Sequence, residues 1–125
     1  MVVSNPFDPP AQPWLAGHRG IDLVAAAGTT VTAVGDGQVT FVGKVVDRPV
    51  VVISHGELST TYEPVDASVA VGQAVTAQQS IGHVAAGGHC DNSCLHLGLK
   101  RGEEYLNPEF LWARPAVLRP LESTP

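Results

Sequence analysis

The sequence predicts an all-β fold, an antiparallel β-sheet or sandwich with little helix, and three observations carry that prediction. Short runs rich in Val, Ile and Thr recur along the chain, and glycine-containing turn signals separate them. No stretch sustains the 3.6-residue apolar period of an amphipathic helix. Thirteen Gly and ten Pro in 125 residues leave little uninterrupted length for one. Many short strands at such spacing are the pattern of an all-β sheet or sandwich.

In chain order, Met1–Pro13 carries Pro6, Pro9, Pro10 and Pro13 and reads as an extended arm. Proline fixes φ and donates no N–H, so such a segment disfavours regular structure. After Gly20 a strand is expected, with Ile21 and Leu23 on one side and Asp22 on the other. Further strands are predicted at Thr30–Val34, Gln38–Val42, Val50–Ser54, Thr60–Val65, Ala74–Thr76, Ile81–Val84 and Leu95–Leu99. Turns fall at Ala27-Gly28, Gly35-Asp36-Gly37, His55-Gly56, Gly72, Gly87-Gly88 and Arg101-Gly102. Asn107–Trp112 is expected to form one helical turn, with Asn107 as cap and Pro108 in the first position. Arg114–Pro125 reads as a proline-containing tail. The organisation expected is an arm (1–13), one domain (14–113) and a tail (114–125), a size that suits one core.

The formal net charge is −5, and the seven Lys and Arg form no cluster. That balance excludes a nucleic-acid binder. No apolar run approaches the roughly 18 residues of a membrane span, so no transmembrane segment is expected. No basic-then-apolar leader pattern precedes Asn5. A monomer is expected.

The chemistry concentrates in two places. His18 and Asp22 form a His-x-x-x-Asp spacing, and His96 lies far along the chain. A His, an Asp and a distant His are donors that zinc prefers, and catalytic zinc sites use three protein ligands and keep a fourth position for water. In an extended strand, His18 and Asp22 would stand roughly 13 Å apart at Cα, too far for one metal. The chain must bend between them, and Gly20 permits the bend. Leu95, Leu97 and Leu99 share one strand face, so His96 points away from the leucines together with Cys94 and Gly98. Cys90 and Cys94 form a close pair with two readings, a disulfide or metal-binding thiolates. The disulfide is the expected state, and it implies an oxidising, extracytoplasmic compartment.

His18-Arg19-Gly20-Ile21-Asp22-Leu23 resembles the His-x-Gly-x-Asp signature of the lysostaphin-like (LytM-type) zinc metallopeptidases. Leu95-His96-Leu97-Gly98-Leu99 resembles the tail of that family's His-x-His motif. Val51–Gly56, Thr61–Pro64, Val69–Val75 and Gln79–Gly82 are similar to the intervening strands and turns, so the resemblance covers about His18 to Pro108. It implies a lysostaphin-like sheet and zinc held by His18, Asp22 and His96. It also implies action on peptidoglycan peptides, by zinc-activated water, outside the cytoplasm.

Two positions depart from the family pattern. The residue two before the ligand His is ordinarily a second His that assists the attacking water; here it is Cys94. The Tyr-x-His segment of the family reads Tyr62-Glu63-Pro64 here. A general base contributes about 10²–10⁴-fold, so the expectation is a zinc-binding cell-wall domain that is weakly catalytic or non-catalytic. It would recognise wall peptides or a partner wall hydrolase. The alternative is an active metalloendopeptidase with a substituted base, for which His55, Tyr62, Glu63 and His89 are the candidates. Glu63 would point to the opposite face from Pro64 and need a bulge to serve. Tyr62 would share the face of Pro64 and donate to a bound carbonyl. His83 is expected to be structural, and Arg19, next to a ligand, is expected to be solvated, with contact to a substrate carboxylate as the alternative. A third reading closes the zinc site with Cys94 as a free thiolate.

Overall fold

The computed structural model describes residues 3–8, 19–86, 94–109 and 111. Eleven strands are found among them: β1 (Val3–Asn5), β2 (Ile21–Val24), β3 (Thr30–Thr32), β4 (Gly37–Val45), β5 (Arg48–Ser54), β6 (Leu58–Glu63), β7 (Val65–Ala67), β8 (Ala74–Val75), β9 (Ser80–Val84), β10 (Cys94–Arg101) and β11 (Glu104–Leu106). Eight form one sheet in the order β1-β2-β10-β6-β5-β4-β8, with β11 pairing β10. The other three form a small sheet, β3-β9-β7. The strand pairs are antiparallel throughout. The all-β expectation therefore holds.

Alternation explains how the large sheet buries one face. In β6, Leu58, Thr60 and Tyr62 are buried while Ser59, Thr61 and Glu63 are half-buried. In β10, Leu95, Leu97 and Leu99 turn inward as their spacing requires. Tyr62, Leu95 and Leu97 meet Ile21 and Leu23 of β2, Val51 and Ile53 of β5, and Val31, Val65, Ile81 and Val84 of the small sheet, while Leu58 and Leu99 form a second cluster with Leu111. The core lies between the two sheets. The opposite face of the large sheet carries Asp22, His96 and Glu63.

Some elements differ from the expected runs. The stretch Thr60–Val65 divides at Pro64, which has no N–H for the ladder; the chain leaves the large sheet after Glu63 and joins the small one as β7. The Glu63–Pro64 peptide bond is cis. Within the proline-bearing N-terminal stretch, Val3–Asn5 pairs with β2 as an edge strand. At the other end, Asn107 Oδ1 accepts the Glu109 N–H at 3.0 Å and Pro108 O accepts the Leu111 N–H at 2.9 Å, as the capped turn anticipates.

Three hairpins of the large sheet close through a loop residue in the left-handed region. Two use glycine there: Gly56 between β5 and β6 (φ 95°) and Gly102 between β10 and β11 (φ 58°). The third, between β4 and β5, uses Val46 at φ 64°. A β-branched residue in that region is strained by about 1–2 kcal/mol, and Val46 recovers little by packing, being 90% exposed. Val46→Gly is expected to stabilise the domain by roughly 0.5–1 kcal/mol after the entropic cost of glycine. Its melting temperature should rise by a few degrees in a thermal scan. An unchanged or lower midpoint would mean the hairpin gains something from Val46 that the strain argument omits.

Candidate metal centre

Strand β10 runs between β2 and β6 in the large sheet, and the register sets one row across three strands: Asp22 opposite His96, and His96 opposite Glu63. Residues directly opposite on paired strands project to the same face. All three therefore sit on the face away from the core.

His96 Nδ1 lies 2.9 Å from Asp22 Oδ1. The carboxylate is buried, at 1% side-chain exposure, and the imidazole is 13% exposed. Gly20 makes this arrangement possible. A Cβ added there would come within 2.7 Å of His96 Nε2 and closer still to the Leu97 carbonyl oxygen. The glycine is needed for the room it leaves as well as for the bend it allows.

One imidazole nitrogen and one carboxylate oxygen, adjacent and largely withdrawn from water, are donors of the type zinc takes. Two ligand atoms about 2.0–2.1 Å from a tetrahedral zinc stand roughly 3.3 Å apart. A pair at 2.9 Å need only open by a few tenths of an ångström to hold one. Among the described residues, no three His, Cys, Asp or Glu side chains cluster as a metal site. His18, the third donor expected from the sequence, lies outside the described residues, as do Cys90 and His89.

The other expected residues divide between the two faces. Glu63 shares the face of His96 without any bulge, which corrects the sequence expectation, and its Oε2 lies 3.9 Å from Arg48 Nε. Cys94 is 3% exposed, and no free cysteine is present among the described residues. His83 is exposed on β9, opposite Thr30 and Asp66 in the small sheet.

Tyr62 and His55 do not join the site, which corrects their candidacy as catalytic groups. Tyr62 is 1% exposed and turns into the core with Leu58 and Thr60. Its hydroxyl accepts the Val34 N–H at 3.1 Å and lies 2.8 Å from Thr60 Oγ1. Burial pushes the phenol up to about 12, against its hydrogen bonds with Thr60 and Val34, which act the other way. His55 is 6% exposed; its Nδ1 lies 2.7 Å from the Asp36 carbonyl oxygen and its Nε2 lies 2.8 Å from Thr60 Oγ1. Burial lowers its pKa, opposed by the Asp36 carbonyl and the Asp36 charge. A neutral ring with Nδ1–H donated to the carbonyl offers the Nε2 lone pair to the Thr60 hydroxyl. These groups form a structural polar network on the core side.

Sequence reading singled out Arg19 and missed two other basic groups near the centre, Lys100 and Arg48. Lys100 is four residues after His96 on the same strand, so the alternation that placed His96 also places Lys100. Its Nζ lies 4.9 Å from the Tyr105 ring centroid, and Arg19 Cζ lies 5.7 Å from the same ring. Arg48 joins the face through Glu63, a pairing that only the β5–β6 register makes visible.

The comparisons with known proteins bear on the fold and the family. An uncharacterised protein of Mycobacterium tuberculosis is 43% identical over 130 residues, covering 98% of this chain and 52% of that protein. The chain thus spans about half the length of the curated relatives it matches. A zinc-containing peptidase from Vibrio cholerae has a TM-score of 0.72 at 26% identity, covering 84% of this chain and 35% of that one. The catalytic domain of the prophage-encoded M23 protein EnpA from Enterococcus faecalis has a TM-score of 0.73 over 86% of this chain and 88% of that one. At 24% identity, that likeness is one of fold. The model of peptidase family M23 matches residues 16–108, most of the length, and the chain belongs to that family.

Proposed function

We propose that this chain is a zinc-binding, extracytoplasmic domain of the M23 type that recognises peptidoglycan peptides and hydrolyses them weakly or not at all. The observation that carries the reading is the 2.9 Å approach of His96 Nδ1 and Asp22 Oδ1 on the open face of the sheet. His18, Asp22 and His96 would hold the metal. When bound, zinc supplies a water of pKa about 7 and a Lewis acid for a carbonyl oxygen. Asp22 and His96 are held in place by their mutual contact and by paired strands on both sides of β10, which limits their reorganisation on binding.

Hydrolysis also needs groups that carry protons to and from the reacting atoms. The family's two helper positions hold Cys94 and Pro64, and proline has no polar side chain. A disulfide between Cys94 and Cys90 would likewise remove any exchangeable proton, and it would leave no thiolate for a fourth zinc ligand. Such a bridge suits an oxidising compartment. Among the described residues no helix is long and apolar enough to cross a membrane.

A second reading, an active endopeptidase with a substituted base, draws support from Glu63. It is the carboxylate directly opposite His96 on the same face. The test combines metal and activity measurements. Zinc should be stoichiometric in the unaltered protein and lost in Asp22→Ala and His96→Ala. Wall-peptide hydrolysis should be slow, and it should rise in a folded Cys94→His/Pro64→His variant. Full zinc in both single variants refutes the metal site. Rapid hydrolysis by the unaltered protein establishes the second reading.

A further inference from the structure

We propose that Lys100 and Arg19, gathered on the Tyr105 ring, form a subsite for a carboxylate of the bound peptide, some three to four residues from the reacting bond. The inference rests on the reading of this face as a wall-peptide site.

The position of the cluster follows from the strands. Lys100 shares a face with His96 through the two-residue period of β10. Four residues at about 3.3 Å each place it roughly 13 Å along the strand from the metal ligand. An extended peptide advances about 3.3–3.6 Å per residue. A chain lying along β10 with its reacting bond at His96 therefore brings a group three or four residues away to Lys100.

The charge is gathered rather than scattered. The chain has a net charge of −5. Yet three of its five described basic residues, Arg19, Arg48 and Lys100, border this face. Tyr105 stands opposite Lys100 on β11 and takes both cations, at 4.9 Å and 5.7 Å from its centroid. Contact with the ring holds the cations and lowers the entropic cost of ordering them on a ligand.

Among the described residues one anionic side chain approaches Lys100: Glu103 Oε2, at 4.0 Å, on a side chain that is fully exposed. An ion pair at that separation with a fully solvated partner is worth little. A peptide carboxylate that reaches both cations would displace it. Arg19 presents a fork of donors matched to a carboxylate, whereas Lys100 acts as a point charge.

The test uses the full chain with zinc and two probes: a wall-type tetrapeptide with a free C-terminal carboxylate and the same peptide as its C-terminal amide. Affinities are measured by calorimetry at low and at physiological salt. The unaltered protein is expected to bind the acid about tenfold more tightly than the amide, with the preference shrinking as salt is added. Lys100→Gln should reduce that preference at least threefold, and Lys100→Gln with Arg19→Gln should abolish it. Zinc content and melting temperature should stay at the unaltered values. Equal affinity for acid and amide in the unaltered protein overturns the subsite and leaves the wall-peptide reading standing. A preference that survives the double substitution also overturns it. Failure of the zinc-loaded protein to bind either peptide refutes both.

Discussion

Gly20→Ala is expected to strip zinc from the domain although it removes no ligand. The added methyl carbon would occupy the space of the His96 ring, within 2.7 Å of Nε2, and press on the Leu97 carbonyl. The Leu97 contact is to backbone in a central strand, which yields little. The ring is the part that moves, and its Nδ1 leaves the 2.9 Å contact with Asp22. Misorienting one ligand in this way costs on the order of 100-fold in metal affinity. Overpacking against β10 adds a loss of stability of about 1–3 kcal/mol. A zinc-competition titration reads the first effect and a denaturant melt the second. Zinc affinity within threefold of the unaltered protein would show that Gly20 serves the chain bend alone.

This glycine also marks what the sequence made legible and what it did not. The bend at Gly20 could be deduced from spacing alone, because an extended strand cannot bring His18 and Asp22 to one metal. The face of His96 followed from the Leu95, Leu97 and Leu99 alternation, and the β2 pattern gave the side of Asp22 in the same way. The closeness of Gly20 to the His96 ring required the β2–β10 register, which no local pattern specifies. Tyr62 was misassigned for a related reason. Its face was inferred from Pro64, but Pro64 ends β6, and the alternation that governs Tyr62 runs back through Thr60 to Leu58. Thr60 disguised that alternation, since a fully buried threonine looks like a surface residue until its partners, His55 and Tyr62, are known. β7 and β11 were missed because each has only three residues and carries a charge.

His55→Leu is expected to remove an acid sensitivity from the fold while lowering its stability at neutral pH. In the folded chain, His55 bridges the Asp36 carbonyl and the Thr60 hydroxyl, at 2.7 Å and 2.8 Å. Leucine leaves the carbonyl, and in part the hydroxyl, without a partner in a buried setting, at a cost of about 2–3 kcal/mol near pH 8. The pH dependence has a definite sign. Burial lowers the folded pKa of His55 below its ordinary value of 6.5. A proton therefore binds the unfolded chain more tightly than the folded one. The contribution of His55 is complete above pH 6.5 and is lost as the pH falls from there through the folded pKa. Protonation would put a second N–H against Thr60 and a charge into the buried network, which the Asp36 carbonyl and the Asp36 charge offset only in part. Urea melts at pH 8 and pH 5.5 on both proteins, after chelation of metal, separate this effect from proton-driven loss of zinc. The stability gap between the unaltered protein and His55→Leu should be widest at pH 8 and narrow at pH 5.5. A gap of the same size at both values would mean that the ring is not held in its neutral form, and the proton order assigned to the His55–Thr60–Tyr62 chain would be wrong.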